Sequence, residues 1–323
     1  MLQFFSRLSL LFVTVFLYTT IIAQPKTDTT KTSPLSSRSP STGPKAFKDV
    51  ITSKAITDEG LFNVHKVEEK YFFEIPDTLL GREILVVNRI SKAAAGMRSG
   101  FFGYAGDETG RNVIRFEKGP NNKIFLRNIS FAEYSKDSTS PMYTAVNKSN
   151  VQPIAAAFDI KAFSKDSTGS VIDLTDYISN DNDVLFFSGQ IKSALRMGSQ
   201  QSDKSYIVGV RSYPINIEIS TVKTYGRMGG GPSGGGGTPM GGNITVELNS
   251  SFVILPKVPM QPRFYDPRVG YYAVGYTDFD ANPQGVESAN LIKRWRLEPR
   301  DEDIEKYKRG ELVEPKKTDH FLY

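Results

Sequence analysis

The chain has no cysteine, two histidines (His65 and His320) and one tryptophan in 323 residues. Without a thiol there is no Cys-His catalysis, and no disulfide can staple the fold, so the core alone must hold it. Zinc chemistry is equally short of ligands. A structural site takes a full tetrahedral set of Cys or His, and a catalytic site is rich in His. A Ser-His-Asp triad would have to be built on one of two ill-placed histidines. His65 lies in an alternating strand pattern beside Lys66, where an exposed or satisfied histidine is the simpler reading, and His320 stands next to the chain end. There is also no one-sided charge. The net charge of +5 comes from Lys and Arg interleaved with Asp and Glu, not from the basic stripe of a nucleic-acid footprint, so no nucleic-acid partner is expected.

What is present begins with an export signal. Arg7 precedes an apolar run from Leu8 to Ile22, and the small residue Ala23 stands before Gln24. This is the pattern of a secretory signal peptide over residues 1–23, and it is shorter than the ~20 residues of a comfortable membrane span. No cysteine follows to carry a lipid, so no stable membrane anchor is expected after cleavage. The protein is expected to be exported, to the periplasm, the cell surface or the medium. Residues 24–46 are rich in Ser, Thr, Pro and Lys and read as a disordered linker.

From Phe47 the punctuation is that of a β protein. Residues 47–56 allow a short helix. Residues 60–67 alternate as a strand does, 70–76 close on Pro76, and 84–90 are a β-branched run fit for burial on both faces. Residues 111–117 and 123–129 flank Gly119 to Asn122, which is turn chemistry between two strands. Strand, tight turn and strand follow over 155–173, then a helical turn to Ser179, a helix candidate at 190–196, and strands at 205–213, 215–225 and 243–255. The expected fold is mainly β, with antiparallel hairpins in a curved sheet or sandwich and a few short helices.

Three motifs tempt a functional reading and each has a plainer one. The glycine-rich stretch 226–243 lacks Gly-Lys-Ser/Thr and a following helix, so it reads as an extended hairpin loop and not a phosphate cradle. Asp278, Asp280 and Asn282 alternate as in a calcium loop, but Pro283 stands where the turn requires Gly, and Ala289 where a bidentate carboxylate belongs, so an ordinary acidic turn is expected. Glu68, Glu69 and Glu74 read as solvated strand residues.

A resemblance is carried by Met260 to Tyr272 (MQPRFYDPRVGYY), Tyr276 to Asp280, Arg294 to Glu298, Gly60 to Val67, Phe73 to Pro76, Leu85 to Lys92, Val113 to Pro120 and Gln152 to Ile160. In their order and spacing these segments resemble the N-terminal region of large secreted zinc-dependent metalloproteases of Bacteroidota. Those proteins carry domains of unknown function ahead of a metzincin-like catalytic domain. The resemblance implies that an H-E-x-x-H helix beyond this chain would supply two zinc ligands and the general base, so zinc belongs to that missing domain and no cofactor to this chain. The chain contains no H-E-x-x-H, and none of the family's catalytic or metal residues falls on any position here. The apolar finish at Phe321, Leu322 and Tyr323 reads as the front part of something longer.

The resulting map is a signal peptide at 1–23, a linker at 24–46, a small segment at 47–95 packing on a β module at 96–290, and a connector at 291–323 toward the missing domain. The expected partners are that catalytic domain in cis and a polypeptide substrate. Arg263, Asp266, Arg268 and Trp295 are candidate structural pins of the junction, although Asp266 to Gly270 reads equally well as a tight turn held by a local ion pair. The alternative is an exported binding protein that holds a polymer or protein partner on Tyr271, Tyr272 and Tyr276.

Overall fold

The structure, a computed structural model, describes residues 43–227, 242–282, 284–294 and 297–315. The expectations for the signal peptide, for most of the linker and the glycine-rich loop, and for Trp295, His320 and the last residues lie outside the described residues. The described part of the linker is not free chain. The Lys45 amide donates to the Lys161 carbonyl (2.8 Å), which ties residue 45 to the strand that holds Lys161, just ahead of Phe47.

Twelve strands form one antiparallel sheet, as the alternating pattern predicts. In chain order they are β1 (Ile56–Asp58), β2 (Asn63–Val67), β3 (Lys70–Pro76), β4 (Glu83–Lys92), β5 (Glu108–Gly119) and β6 (Lys123–Ile129). After β7 (Glu133–Tyr134), which lies elsewhere, the sheet takes up β8 (Ile154–Phe163), β9 (Gly169–Asp173), β10 (Met197–Gln200), β11 (Tyr206–Ser212), β12 (Asn216–Arg227) and β13 (Asn243–Ile254). The spatial order is β1-β2-β3-β9-β8-β6-β5-β4-β13-β12-β10, with β11 also on β12. Residues 47–95 supply four strands to the sheet. The short helices are α1 (Phe47–Val50), α2 (Pro141–Ser149), α3 (Thr175–Ser179), α4 (Gly189–Ala194) and α5 (Ile304–Lys308). The nine-residue α2 was not foreseen, yet it starts by the usual chemistry: Ser140 caps it by accepting from the Met142 amide (3.1 Å), with Pro141 in the first turn. The β5–β6 hairpin turns as expected, through Pro120, Asn121 and Asn122 between the paired Gly119 and Lys123, with the two asparagines at φ +57° and +53°, a left-handed conformation that asparagine tolerates.

The sheet rolls until its far ends meet. The Leu61 amide donates to the Tyr213 carbonyl (2.7 Å), the Ser212 hydroxyl donates to the Phe62 carbonyl (2.6 Å), and the Ser212 amide donates to Asp58 (3.1 Å). Gly60 is required at this seam, because a Cβ there would lie 2.6–2.7 Å from Ser212 Oγ and the Tyr213 backbone. Alternate residues of each strand face inward: Phe73 and Ile75 on β3, Ile84, Val86 and Ile90 on β4, Ile114 and Phe116 on β5, Ile217 and Ile219 on β12, and Val246 and Leu248 on β13. The outer face of β3, β8 and β9 carries a second, smaller core, where Phe72, Ala162 and Val171 meet Ile51 and the residues around α1.

So wide a roll is not filled by its own side chains, and residues 174–195 enter it. Leu174, Ile178, Val184, Leu185, Phe186, Phe187, Ile191 and Leu195 are all buried in the same core as the inward strand residues. Their backbone is satisfied by inward polar side chains. Asn88 and Asn112 donate to the Val184 carbonyl (2.9 and 3.0 Å), and Thr109 donates to the Phe186 carbonyl (2.6 Å). Phe186 sits at φ +74°, a conformation that costs a bulky residue of order 1–3 kcal/mol and that these bonds hold in place.

A separate three-stranded sheet runs β15 (Gly285–Ile292), β14 (Ala273–Asn282), β7, with β7 parallel to β14. The expected acidic turn at Asp278 to Asn282 is thus the end of a strand. Asp280 there accepts from Ser135 Oγ (2.7 Å) and from the Lys136 and Asp137 amides of the segment that follows β7, which holds its pKa below the ordinary carboxylate value. The seam yields a direct test. Gly60→Ala should destabilise the protein by about 1–3 kcal/mol through overpacking, read as a lower urea midpoint, and an unchanged midpoint would show that the seam does not hold the roll shut.

Candidate functional site

The candidate junction residues lie around the outer edge of the three-stranded sheet. The Ile292 amide donates to the Arg263 carbonyl (3.0 Å) and the Tyr265 amide to the Asn290 carbonyl (2.8 Å), which pins residues 263–265 along β15. Asp266 and Arg268 are paired with each other. The Asp266 carboxylate accepts from Arg268 Nε (2.9 Å), Nη2 (2.5 Å) and the backbone amide (3.0 Å), and these bonds lower its pKa. The pair is a local clamp on one turn, and Arg263 is exposed and takes no part in it. Trp295 lies outside the described residues.

Beside the clamp the same segment builds an apolar face. Val274 pairs with Leu291, and Leu291 bridges to Phe264. Directly opposed residues share a face of a sheet, so Phe264, Leu291 and Val274 form one stripe, which Tyr272 continues two residues before Val274. Phe264 is 70 % exposed and Tyr272 86 %. Farther along, Tyr276 packs edge-on against Tyr134 (6.1 Å), and Tyr134 against Phe131 (6.5 Å). Of the three tyrosines singled out in the sequence, Tyr276 is half-buried in this cluster, while Tyr271 and Tyr272 are free to touch a partner.

Two groupings of ionisable residues come together elsewhere. On β1, β2 and β3, Thr57 Oγ1 lies 2.8 Å from His65 Nδ1, and His65 Nε2 lies 2.9 Å from Glu74 Oε2, with Asn63 also donating to Glu74 (3.3 Å). His65 is thus satisfied and buried. Glu74, expected to be solvated, is instead committed to it, because cross-strand neighbours on one face meet. The His65 hydrogen bond holds the Glu74 pKa below its ordinary 4.5 against the opposing effect of burial. The chain Thr57–His65–Glu74 has the outline of a relay, but Thr57 is a hydroxyl on an exposed edge strand, where a nucleophile would lack the sheltered oxyanion-binding site that acyl transfer needs.

The second grouping was missed in the sequence. Lys223, on an inward position of β12, is fully buried. Its ammonium donates to the Ile178 carbonyl (2.7 Å) and the Ser179 carbonyl at the C-terminal end of α3, and it lies 4.3 Å from the centre of the Phe186 ring. Burial pushes it down to about 8, with Asp181 opposing. Asp181 in turn accepts from Lys192 and from the Tyr225 hydroxyl (3.3 Å), whose pKa is raised by burial. A lysine tuned in this way suits proton transfer or imine chemistry, but here its donors are spent on backbone and no substrate can reach it. The signal that would have found it is parity, since it follows Ile217, Ile219 and Thr221 at every second position.

Among the described residues no three His, Asp or Glu side chains converge as metal ligands do, and no helix is long and apolar enough to cross a membrane. The class that the fold defines is a rolled antiparallel β protein with a filled interior. Residues 106–300 match the family described as a domain of unknown function, DUF5117, and residues 44–93 match a second one, DUF5118. The first match covers more than half of the chain, which therefore belongs to the DUF5117 family. No curated protein matches it, and no solved structure does.

Both groupings titrate in ways that stability measurements can read. The Lys223 pKa is lower folded than unfolded, so between pH 8 and 10 the unfolded chain binds more protons and stability should rise with pH, by at most about 1 kcal/mol per pH unit. Lys223→Met should abolish that slope in urea titrations, and an identical slope in the variant would refute the assignment. The Glu74 pKa is depressed, so its contribution is present above pH 4.5 and lost as pH falls through the folded value. Glu74→Gln should flatten the acid limb of the stability curve, whereas an unaltered limb would mean the His65 contact carries no weight.

Proposed function

We propose that this chain is the non-catalytic N-terminal portion of an exported zinc-dependent metalloprotease, with peptide-bond hydrolysis residing in a further domain that carries the H-E-x-x-H helix. The observation that carries the reading is the position of the resembling segment from Met260 to Tyr272. Its apolar residues contribute little to this chain's own core: Phe264 and Tyr272 stand in solvent on either side of the turn that the Asp266–Arg268 pair closes. Large side chains held rigidly in water are accounted for by a folded neighbour that covers them. The resemblance names that neighbour as the protease domain in cis. Arg263, Asp266 and Arg268 then act as pins of the junction, and a polypeptide substrate would lie beyond it. The family match over two consecutive domains of unknown function fits the same arrangement.

The exposure of Tyr271 and Tyr272 also suits the second reading, an exported binding protein that stacks a polymer or partner on these rings. The two readings diverge at the DNA. In-frame sequence after codon 323 that reaches an H-E-x-x-H segment within a domain's length supports the protease, and a stop codon overturns it. With the 323-residue chain and the downstream polypeptide made separately, zinc and chelator-sensitive peptide hydrolysis should belong to the latter. Phe264→Ser with Tyr272→Ser should weaken their association by roughly a hundredfold, as expected when central apolar anchors are lost. Stoichiometric zinc or chelator-sensitive proteolysis in the 323-residue chain alone would refute the proposal.

A further inference from the structure

The most exposed aromatic side chain of the described core-forming region is not on the three-stranded sheet. The connection between β4 and β5 runs Arg98-Ser-Gly-Phe-Phe-Gly-Tyr-Ala-Gly106 and carries Phe101 at its tip, 94 % exposed, with Phe102 and Tyr104 also exposed below it. The tip is built, not slack. Ser99 and Phe102 exchange both backbone hydrogen bonds (2.9 and 3.1 Å), which closes a two-residue turn on Gly100 at φ +58° and Phe101. The Asp107 carboxylate accepts from the Gly103 and Tyr104 amides (2.9 and 2.8 Å), and Gly103 at φ +100° lies so close to the Met97 and Arg98 backbone that a Cβ would come within 3.1–3.2 Å. Met97 plugs into the main core and roots the finger. The Arg98 guanidinium stacks 4.7 Å from the centre of the Tyr104 ring, beneath the two phenylalanines.

We propose that this finger docks reversibly on a lipid–water interface, inserting Phe101 and Phe102 while Tyr104 and Arg98 stay at headgroup level. The chemistry fits lipid better than a protein groove for three reasons. The flanks of the finger are Ala93, Ala94, Gly96, Gly103 and Ala105, which offer little for a protein to grip and little polar surface to drag into an interface. The order from tip to root, phenylalanine, then tyrosine with a stacked arginine, is that of an apolar wedge topped by an amphipathic belt and a cation that can snorkel. The Arg98 cation at the root of the finger favours anionic headgroups. Two inserted rings give a contact that reverses, not an anchor. This inference stands on the finger alone and is independent of the protease reading.

The test uses the full chain and lipid vesicles. In a Trp295→Phe background, the indole introduced by F101W should shift its emission to the blue on addition of anionic vesicles and be quenched by brominated acyl chains. The shift should be weaker with zwitterionic vesicles and in high salt. F101S with F102S should lower vesicle partitioning by roughly tenfold per ring removed. The apolar run at Leu8 to Ile22 is common to both chains and drops out of that difference, and residues this exposed can be replaced without loss of fold. R98Q should reduce the anionic preference. No emission shift with any vesicle, partitioning unchanged by F101S with F102S, or a shift that requires a second protein in place of lipid would each overturn the proposal.

Discussion

The carbonyl groups of Ile178, Val184 and Phe186 lie inside a rolled sheet, away from water, and the inward face of the sheet is arranged to meet them. A buried carbonyl without a donor costs about 1–3 kcal/mol, and a segment threaded through an apolar interior presents several in succession. The chain answers by breaking its own hydrophobic pattern at chosen inward positions: Asn88, Thr109, Asn112 and Lys223 stand where neighbouring strand positions hold Ile, Val or Phe. Asn88 is itself held by Ser250 from the adjacent strand (2.5 Å). The polar residues thus fix one register for the inserted segment, because only one alignment brings each donor to its carbonyl.

A filled interior decides where function can lie. Many rolled sheets bind ligands in their lumen, but here the lumen holds Phe186, Phe187 and Tyr225 in edge-on contact or ring-to-ammonium contact with Lys223. The perturbed groups, Lys223 and Tyr225, are perturbed by burial, and their partners are backbone and Asp181. What remains for recognition is the periphery. There the two features that a self-contained domain would avoid, an uncovered apolar stripe at Phe264, Leu291 and Val274 and a braced phenylalanine at Phe101, are both rigidly supported.

The strands were legible because period-two alternation survives wherever one face is buried and the other wetter, as in β5, β6 and β13. The β5–β6 turn was legible from its asparagines. The inserted segment was half legible: Phe186 and Phe187 announce burial, but nothing local says that they enter a sheet formed by strands up to a hundred residues away. The role of Glu74 was invisible for a related reason. It depends on its alignment with His65 across two strands, and register is a property of the pair, not of either strand. The end of β14 was misread as a turn because Asp278, Asp280 and Asn282 are poor strand formers. Asp280 is tolerated there because the loop at Ser135 to Asp137 supplies its hydrogen bonds. In the junction segment, the local clamp between Asp266 and Arg268 was readable from adjacency, whereas the bare stripe beside it depends on pairing between Phe264 and Leu291 that spacing does not announce.

The position of β4 has a temporal meaning. It lies at the middle of the sheet between β5 and β13, yet it emerges from the ribosome some 160 residues before the second of these partners, with Ile84 pairing to Ile254. Likewise β3 waits for β9. For that interval a strand carrying Ile84, Leu85, Val86, Val87 and Ile90 has one unsatisfied edge, and the surface that surrounds the insert has nothing to surround. Pairing over such sequence distances slows folding and leaves strand edges open while the chain is made.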